Sequence, residues 1–210
     1  MFENMAIHES DDTPAISKPL HIQFARFIST ILSPAVVALP FIILMGRSSN
    51  DQNVFLSVII TIFFLCVGPM SYISFGVITG KFTDVDVSVR SQRVGPFLFG
   101  IASSLLGFLV LHLTKGQKNL ESVLLLVSIS GIMMMVITLW WKISMHASAL
   151  SAAVTALSMV YGNVILPAFL LVILVSWSRV QLRRHTLAQV IAGSIVGIVL
   201  SWILLKTQGF

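Results

Sequence analysis

Long apolar runs separated by short polar segments dominate this chain. Apolar stretches cover about 25–46, 54–78, 97–113, 121–141, 144–160, 164–177 and 186–205, free of Asp, Glu, Lys and Arg except for Arg26 and Glu121 at the edges of two of them. A helix rises about 1.5 Å per residue and the hydrocarbon core is about 30 Å thick, so about 20 apolar residues suffice to cross it. A charge at mid-bilayer costs roughly 2.5–3.5 kcal/mol, which is why charge-free runs mark the crossings. The pattern predicts an all-α integral membrane protein, a bundle of six to seven transmembrane helices. The runs 144–160 and 164–177 are short for separate crossings, and they set the spread in that count. Pro34 and Pro40 predict kinks in the first span, and Pro96 suits the opening of the third.

Residues 1–24 form a polar tail with Glu3, Glu9, Asp11, Asp12, Pro14 and Pro19, and 25–206 a single transmembrane domain. A signal peptide would open with a basic stretch followed directly by an apolar one, so none is expected. The segment 144–160 is crowded with Ala and Ser, from Ala147 to Ser158, which predicts close backbone packing inside the bundle. Gly193 and Gly197 are spaced for the same purpose, within one chain or between chains. Trp140 and Trp141 suit a membrane boundary.

Composition agrees with this pattern: 56% of residues are hydrophobic and 10% charged, where soluble domains carry about 25% charged residues. The formal charge of +5 comes from basic residues scattered between apolar runs, with no stripe or motif for nucleic acid. The expected partner is the lipid bilayer with its phosphate headgroups. Cys66 lies alone in an apolar run and reads as a small hydrophobe. No dense cluster of Asp, Glu, His and Cys points to a metal, and no cofactor is implied.

Counting crossings brings three polar segments to one membrane face: 79–95, Lys142, and 178–184. That face also takes the N-terminus and nine of the thirteen Lys and Arg residues. The positive-inside rule therefore makes it cytoplasmic, in an inner or plasma membrane. It gathers Asp84, Asp86, Arg90, Arg93, Lys142, His146, Arg179, Arg183, Arg184, His185 and Gln189. Arginine offers a planar fork of donors for phosphate oxygens, and imidazole serves as nucleophile or as acid and base near neutral pH. The combination points to phosphoryl transfer on a lipid headgroup.

The run Ser178-Arg179, five residues, His185, three residues, Gln189 resembles the third signature of the type 2 phosphatidic acid phosphatase superfamily, Ser-Arg-x5-His-x3-Asp. Ser144-Met145-His146 is similar to the second, Pro-Ser-Gly-His, with the histidine kept. The first, Lys-x6-Arg-Pro, falls on Asp86 to Arg93: the arginine survives, Asp86 stands for the lysine, and the proline is displaced to Pro96. The resemblance implies a membrane phosphatase in which His185 attacks phosphorus and forms a phosphohistidine. It makes His146 the acid and base, and Arg93 and Arg179 the phosphate clamp, with Gln189 orienting His185 from four residues along the same helical face. Arg90 and Lys142 are added as phosphate-binding candidates. Lys142 lies four residues before His146 and shares its face if the helix extends that far, replacing the charge lost at Asp86.

Blander readings stand beside these. Arg179, Arg183 and Arg184 are also what a headgroup anchor looks like. The two histidines can be interfacial residues, and Asp86, Arg90 and Arg93 can be partners on a surface helix. His112, near the other face, reads as structural. Three functions follow: a phosphatase for a lipid phosphate or polyprenyl diphosphate; a degenerate relative serving as a lipid-binding or assembly subunit, or a homo-oligomer; and an unrelated transporter or scaffold, which the near absence of ionisable residues within the spans disfavours.

Overall fold

The computed structural model describes residues 19–48 and 53–210. Most of the polar N-terminal tail and part of the loop 47–53 lie outside the described residues. The first helix, α1 (Leu20–Ile31), starts before the expected position 25, so the last part of the tail is helical. It meets α2 (Pro34–Arg47) at a bend of 42°. Ser33 precedes a proline and is extended, at ψ 151°, as steric contact with the ring requires. The break therefore falls at Pro34, while Pro40 is accommodated inside α2.

The second span is helical from Val54 to Ile78, as α3 (Val54–Ile62) and α4 (Gly68–Ile78) joined by one π turn at Phe63–Val67. A π turn misaligns the i→i−4 bonding, and the Phe64 carbonyl it frees accepts from Ser103 Oγ at 2.6 Å. Then come α5 (Val94–Leu113), α6 (Lys118–Trp140), α7 (Met145–Tyr161), α8 (Phe169–Gln181) and α9 (Leu187–Thr207). Among the described residues five helical stretches are long and apolar enough to cross a membrane, and the bent pair makes a sixth.

One of the five, Met145–Gln181, is helical and apolar throughout, yet it is two legs. A straight helix would separate residues 146 and 179 by about 50 Å, whereas the His146 ring and the Arg179 guanidinium are 3.5 Å apart. The reversal is at Gly162, where φ is +75°, a conformation glycine adopts without a Cβ penalty. The turn expected at 161–163 is therefore present, and the two short runs are separate legs.

The tightest seam is between α7 and α9. A Cβ added at Gly193 would lie 2.6 Å from the Ser144 carbonyl oxygen, and one at Gly197 would strike that of Ser148. Ser151 Oγ and Ser201 Oγ donate across the seam to the carbonyls of Ser194 and Ala152, at 3.0 and 3.1 Å. Small residues let the backbones touch, and the hydroxyls bond across them. The glycine pair is thus used inside the chain. At the other end of the bundle His112 lies 3.6 Å from Glu121, consistent with a structural role.

Candidate functional site

The site is built at the ends of helices. Ser144 caps α7, its Oγ accepting from the Ala147 amide at 3.4 Å, so His146 sits in the first turn. Thr186 caps α9 in a reciprocal box with Gln189: Thr186 Oγ1 accepts from the Gln189 amide at 3.4 Å and Gln189 Oε1 from the Thr186 amide at 3.2 Å. Such a Thr-x-x-Gln pair satisfies two otherwise orphaned donors. The two starts are tied together, because the Ser144 amide donates to the Gln189 carbonyl at 3.3 Å. Helix N-termini carry unpaired N–H groups and positive potential, which favours an anion between them.

Arg179 arrives from the last turn of α8, and the chain then doubles back to His185. The Arg184 amide donates to the Arg179 carbonyl at 3.1 Å and the Arg183 amide to that of Val180 at 2.9 Å. This is the Schellman pattern, with Arg183 in the left-handed position at φ +52° where glycine is usual. The tight turn explains the spacing between Arg179 and His185. Both side chains are buried, at 2% and 6% exposure.

Arg179 organises the cluster. Its Nη1 donates to Asp86 Oδ2 at 2.8 Å and to Ser29 Oγ at 2.8 Å, and lies 3.5 Å from His146 Nε2. Its Nε is buried with no partner among the described residues. Arg93, also buried, donates from Nε to the Val87 carbonyl at 2.9 Å and from Nη1 to that of Ile143 at 3.3 Å. His185 Nδ1 is 3.2 Å from Gln189 Oε1. That oxygen can only accept, so Nδ1 carries the proton and Nε2 keeps a free lone pair. Burial pushes the His185 ring down to about 3, helped by the nearby charges of Arg179, Arg93 and Lys142. Near neutral pH the ring is uncharged, as a nucleophile must be. Burial alone would raise the Asp86 carboxyl, but the hydrogen bond from Arg179 and the charges of His146, Arg179 and Arg184 bring it below its ordinary value.

The structure therefore brings together His146, Arg179, His185, Gln189 and Arg93. Arg90 is not among them: its Nη1 donates to the carbonyls of Leu139 and Trp140, at 3.2 and 2.8 Å, closing the C-terminus of α6 as a cation does. Burial lowers the Lys142 ammonium, and the nearby charges of Arg93 and Arg179 lower it further. It reaches that position differently than expected, because α7 begins at Met145 and residues 141–144 are not helical. Asp86, Arg90 and Arg93 do not share a surface helix either, since 79–89 is irregular. Among the described residues no group of three or more His, Cys, Asp and Glu gathers as a metal site.

One member of the site escaped the sequence and another was misread. Ser29 contacts Arg179 through its hydroxyl and the His146 ring through its backbone, and among the other polar residues of α1 (His21, Gln23, Arg26 and Thr30) nothing marked it. Asp86 read as a lost lysine, yet it is the charged partner of Arg179. No curated protein and no solved structure matches the chain. A family model does match, over a segment that contains His146, Arg179, His185 and Gln189 but begins after Asp86 and Arg93. That model is the PAP2 superfamily, matched by residues 127–210, consistent with membership of the type 2 phosphatidic acid phosphatase superfamily whose motifs these residues resemble.

Proposed function

We propose that this membrane protein is a phosphatase for a lipid phosphate or polyprenyl diphosphate, working through a phosphohistidine and without a metal. One observation carries the reading: a buried guanidinium whose Nε–H has no partner among the described residues lies 3.5 Å from the His146 ring and close enough to His185 for its charge to depress that ring. A buried donor left unmade costs about 1–3 kcal/mol, and a phosphate oxygen supplies the missing acceptor. In the proposed reaction Nε2 of His185 forms a bond to phosphorus as the bond from phosphorus to the lipid oxygen breaks. His146 gives that oxygen a proton. Water then attacks the phosphohistidine, His146 takes its proton, and inorganic phosphate leaves. Arg179 and Arg93 hold charge on the pentacoordinate phosphorus, where preorganised donors contribute most. Gln189 holds the Nδ1 proton so that Nε2 faces the substrate. The positive-inside rule places the site on the cytoplasmic side of an inner or plasma membrane.

The test is phosphate release from phosphatidate, phosphatidylglycerol phosphate and isoprenyl diphosphates in the presence of a chelator. His185→Ala is expected to abolish it, and an equally active variant would refute the assignment. Gln189 and Asp86 favour a second reading, a lipid-binding or assembly subunit of a membrane complex. It predicts no turnover on any of these lipids, with lipid phosphate or partner chains copurifying.

A further inference from the structure

Asp86 stands where the resembled signature has lysine, and its carboxylate is aimed inward. Its side chain is one-third exposed, while that of the Arg179 it bonds is buried. The loop around it is built for this placement. Asp84 Oδ1 accepts from the Asp86 amide at 2.9 Å and from Ser88 Oγ at 3.0 Å, and Oδ2 accepts from the Ser88 amide at 3.3 Å. Between them Val87 is buried with φ +45°, a region β-branched residues rarely enter. Its carbonyl is fixed by Arg93. Strain of this kind persists only where the surroundings over-determine it.

The carboxylate spreads one charge over two oxygens. The phosphodiester of a bulk phospholipid does the same, whereas a phosphomonoester carries about −1.5 to −2 and three acceptor oxygens. An open guanidinium at a membrane boundary faces a large excess of diester headgroups. A tethered carboxylate of equal charge competes with them intramolecularly, at an effective concentration in the millimolar range or above. A monoester has two advantages over it: more charge, and an oxygen for the Arg179 Nε–H that Asp86 leaves unpartnered.

We propose that Asp86 is a specificity-determining residue whose carboxylate occupies the position of the substrate phosphate, excluding phosphodiester headgroups and yielding to a terminal phosphomonoester or diphosphate. This rests on the anion site of the proposed function, though not on its turnover. The probe is inorganic phosphate, titrated calorimetrically into the full chain in neutral detergent, with and without phosphatidylglycerol. A site closed about nine-tenths of the time shows about one tenth of its intrinsic affinity, so Asp86→Asn is expected to bind phosphate about tenfold more tightly. Phosphatidylglycerol then weakens phosphate binding by Asp86→Asn about tenfold, and changes the wild-type Kd by less than about twofold. Asp86→Glu restores the wild-type pattern. On the wild-type chain, which tests the idea even if Asp86→Asn does not fold, added phosphate should speed hydrogen exchange at the amides of residues 86 and 88 as the loop loses its anchor.

Weaker or unchanged phosphate binding by Asp86→Asn, its indifference to phosphatidylglycerol, or wild-type exchange that is unchanged or slowed overturns the inference. Wild-type protein that shows the expected binding yet hydrolyses no lipid phosphate overturns the hydrolase reading and leaves this one standing. Active wild-type protein whose Asp86→Asn variant ignores phosphatidylglycerol does the reverse.

Discussion

Replacing Gln189 by glutamate isolates the charge missing behind His185. Glutamate keeps the length of the side chain, so the oxygen 3.2 Å from His185 Nδ1 stays in place, as does the acceptor of the Thr186 amide. In the proposed reaction the ring becomes cationic as the bond from Nε2 to phosphorus forms, and the amide meets that charge only with a dipole. Two unit charges about 4 Å apart at an effective dielectric of about 20 interact by about 4 kcal/mol. If roughly half the ring charge has developed at the transition state, about 2 kcal/mol is gained, or about thirtyfold in kcat. The new carboxylate also repels the substrate phosphate, so KM should rise. The assay is steady-state phosphate release from dispersed phosphatidate in detergent, with thermal unfolding measured alongside. An acidic residue in the first turn of α9 is favourable by about 0.3–1 kcal/mol, so stability should hold. Unchanged or lower kcat in a variant as stable as the wild type would show that His185 does not become cationic in the rate-limiting step.

Three further outcomes are expected. The His185 ring titrates near 3 when folded and near 6.5 when unfolded; between those values the unfolded chain binds the extra proton, so stability falls as pH drops from 6.5 toward 3. His185→Asn should flatten the fall in Tm with acid, and an unaltered slope would place its titration elsewhere. Arg183→Gly removes a side chain from φ +52° and should stabilise by about 1 kcal/mol, read as a higher Tm with activity retained. Gly193→Ala gains about 1 kcal/mol of helix propensity, but its Cβ would lie 2.6 Å from a backbone oxygen. That crowding costs about 1–3 kcal/mol, so Tm should fall, together with kcat, because the oxygen belongs to the residue that caps the His146 helix.

The spans were legible because the bilayer leaves few alternatives: a charge-free run of sufficient length has to be helical and buried in lipid or protein. The Ala- and Ser-rich run of α7 and the Gly193–Gly197 pair were readable for a related reason, since in lipid close packing needs small residues. The break before Pro34 followed from proline sterics. The π turn at Phe63–Val67 sits directly before Gly68-Pro69, where proline cannot make its i→i−4 bond, and Ser103 on another helix takes up the Phe64 carbonyl, a partner that the local sequence does not reveal. Residues 141–144 misled for the opposite reason. Spacing of four suggested a helical face shared by Lys142 and His146, but Ser144 bonds the Gln189 carbonyl and caps α7 there.

Within the site, legibility divides by how far apart the partners lie in sequence. Arg179, His185 and Gln189 are joined by one turn and one helix start, and every contact among them is local, so their spacing could carry the resemblance to a family signature that grouped them. Ser29 and Asp86 meet Arg179 from 150 and 93 residues away, and nothing in their own neighbourhoods announces it. Asp86 misled further because its type was read for the charge it removes from a phosphate site. A buried guanidinium needs compensation at all times, and before an anion arrives only the protein can provide it. In this chain the compensating charge comes from a strained loop that substrate can displace, which makes the departure from the family pattern a property of the empty site as much as of the occupied one.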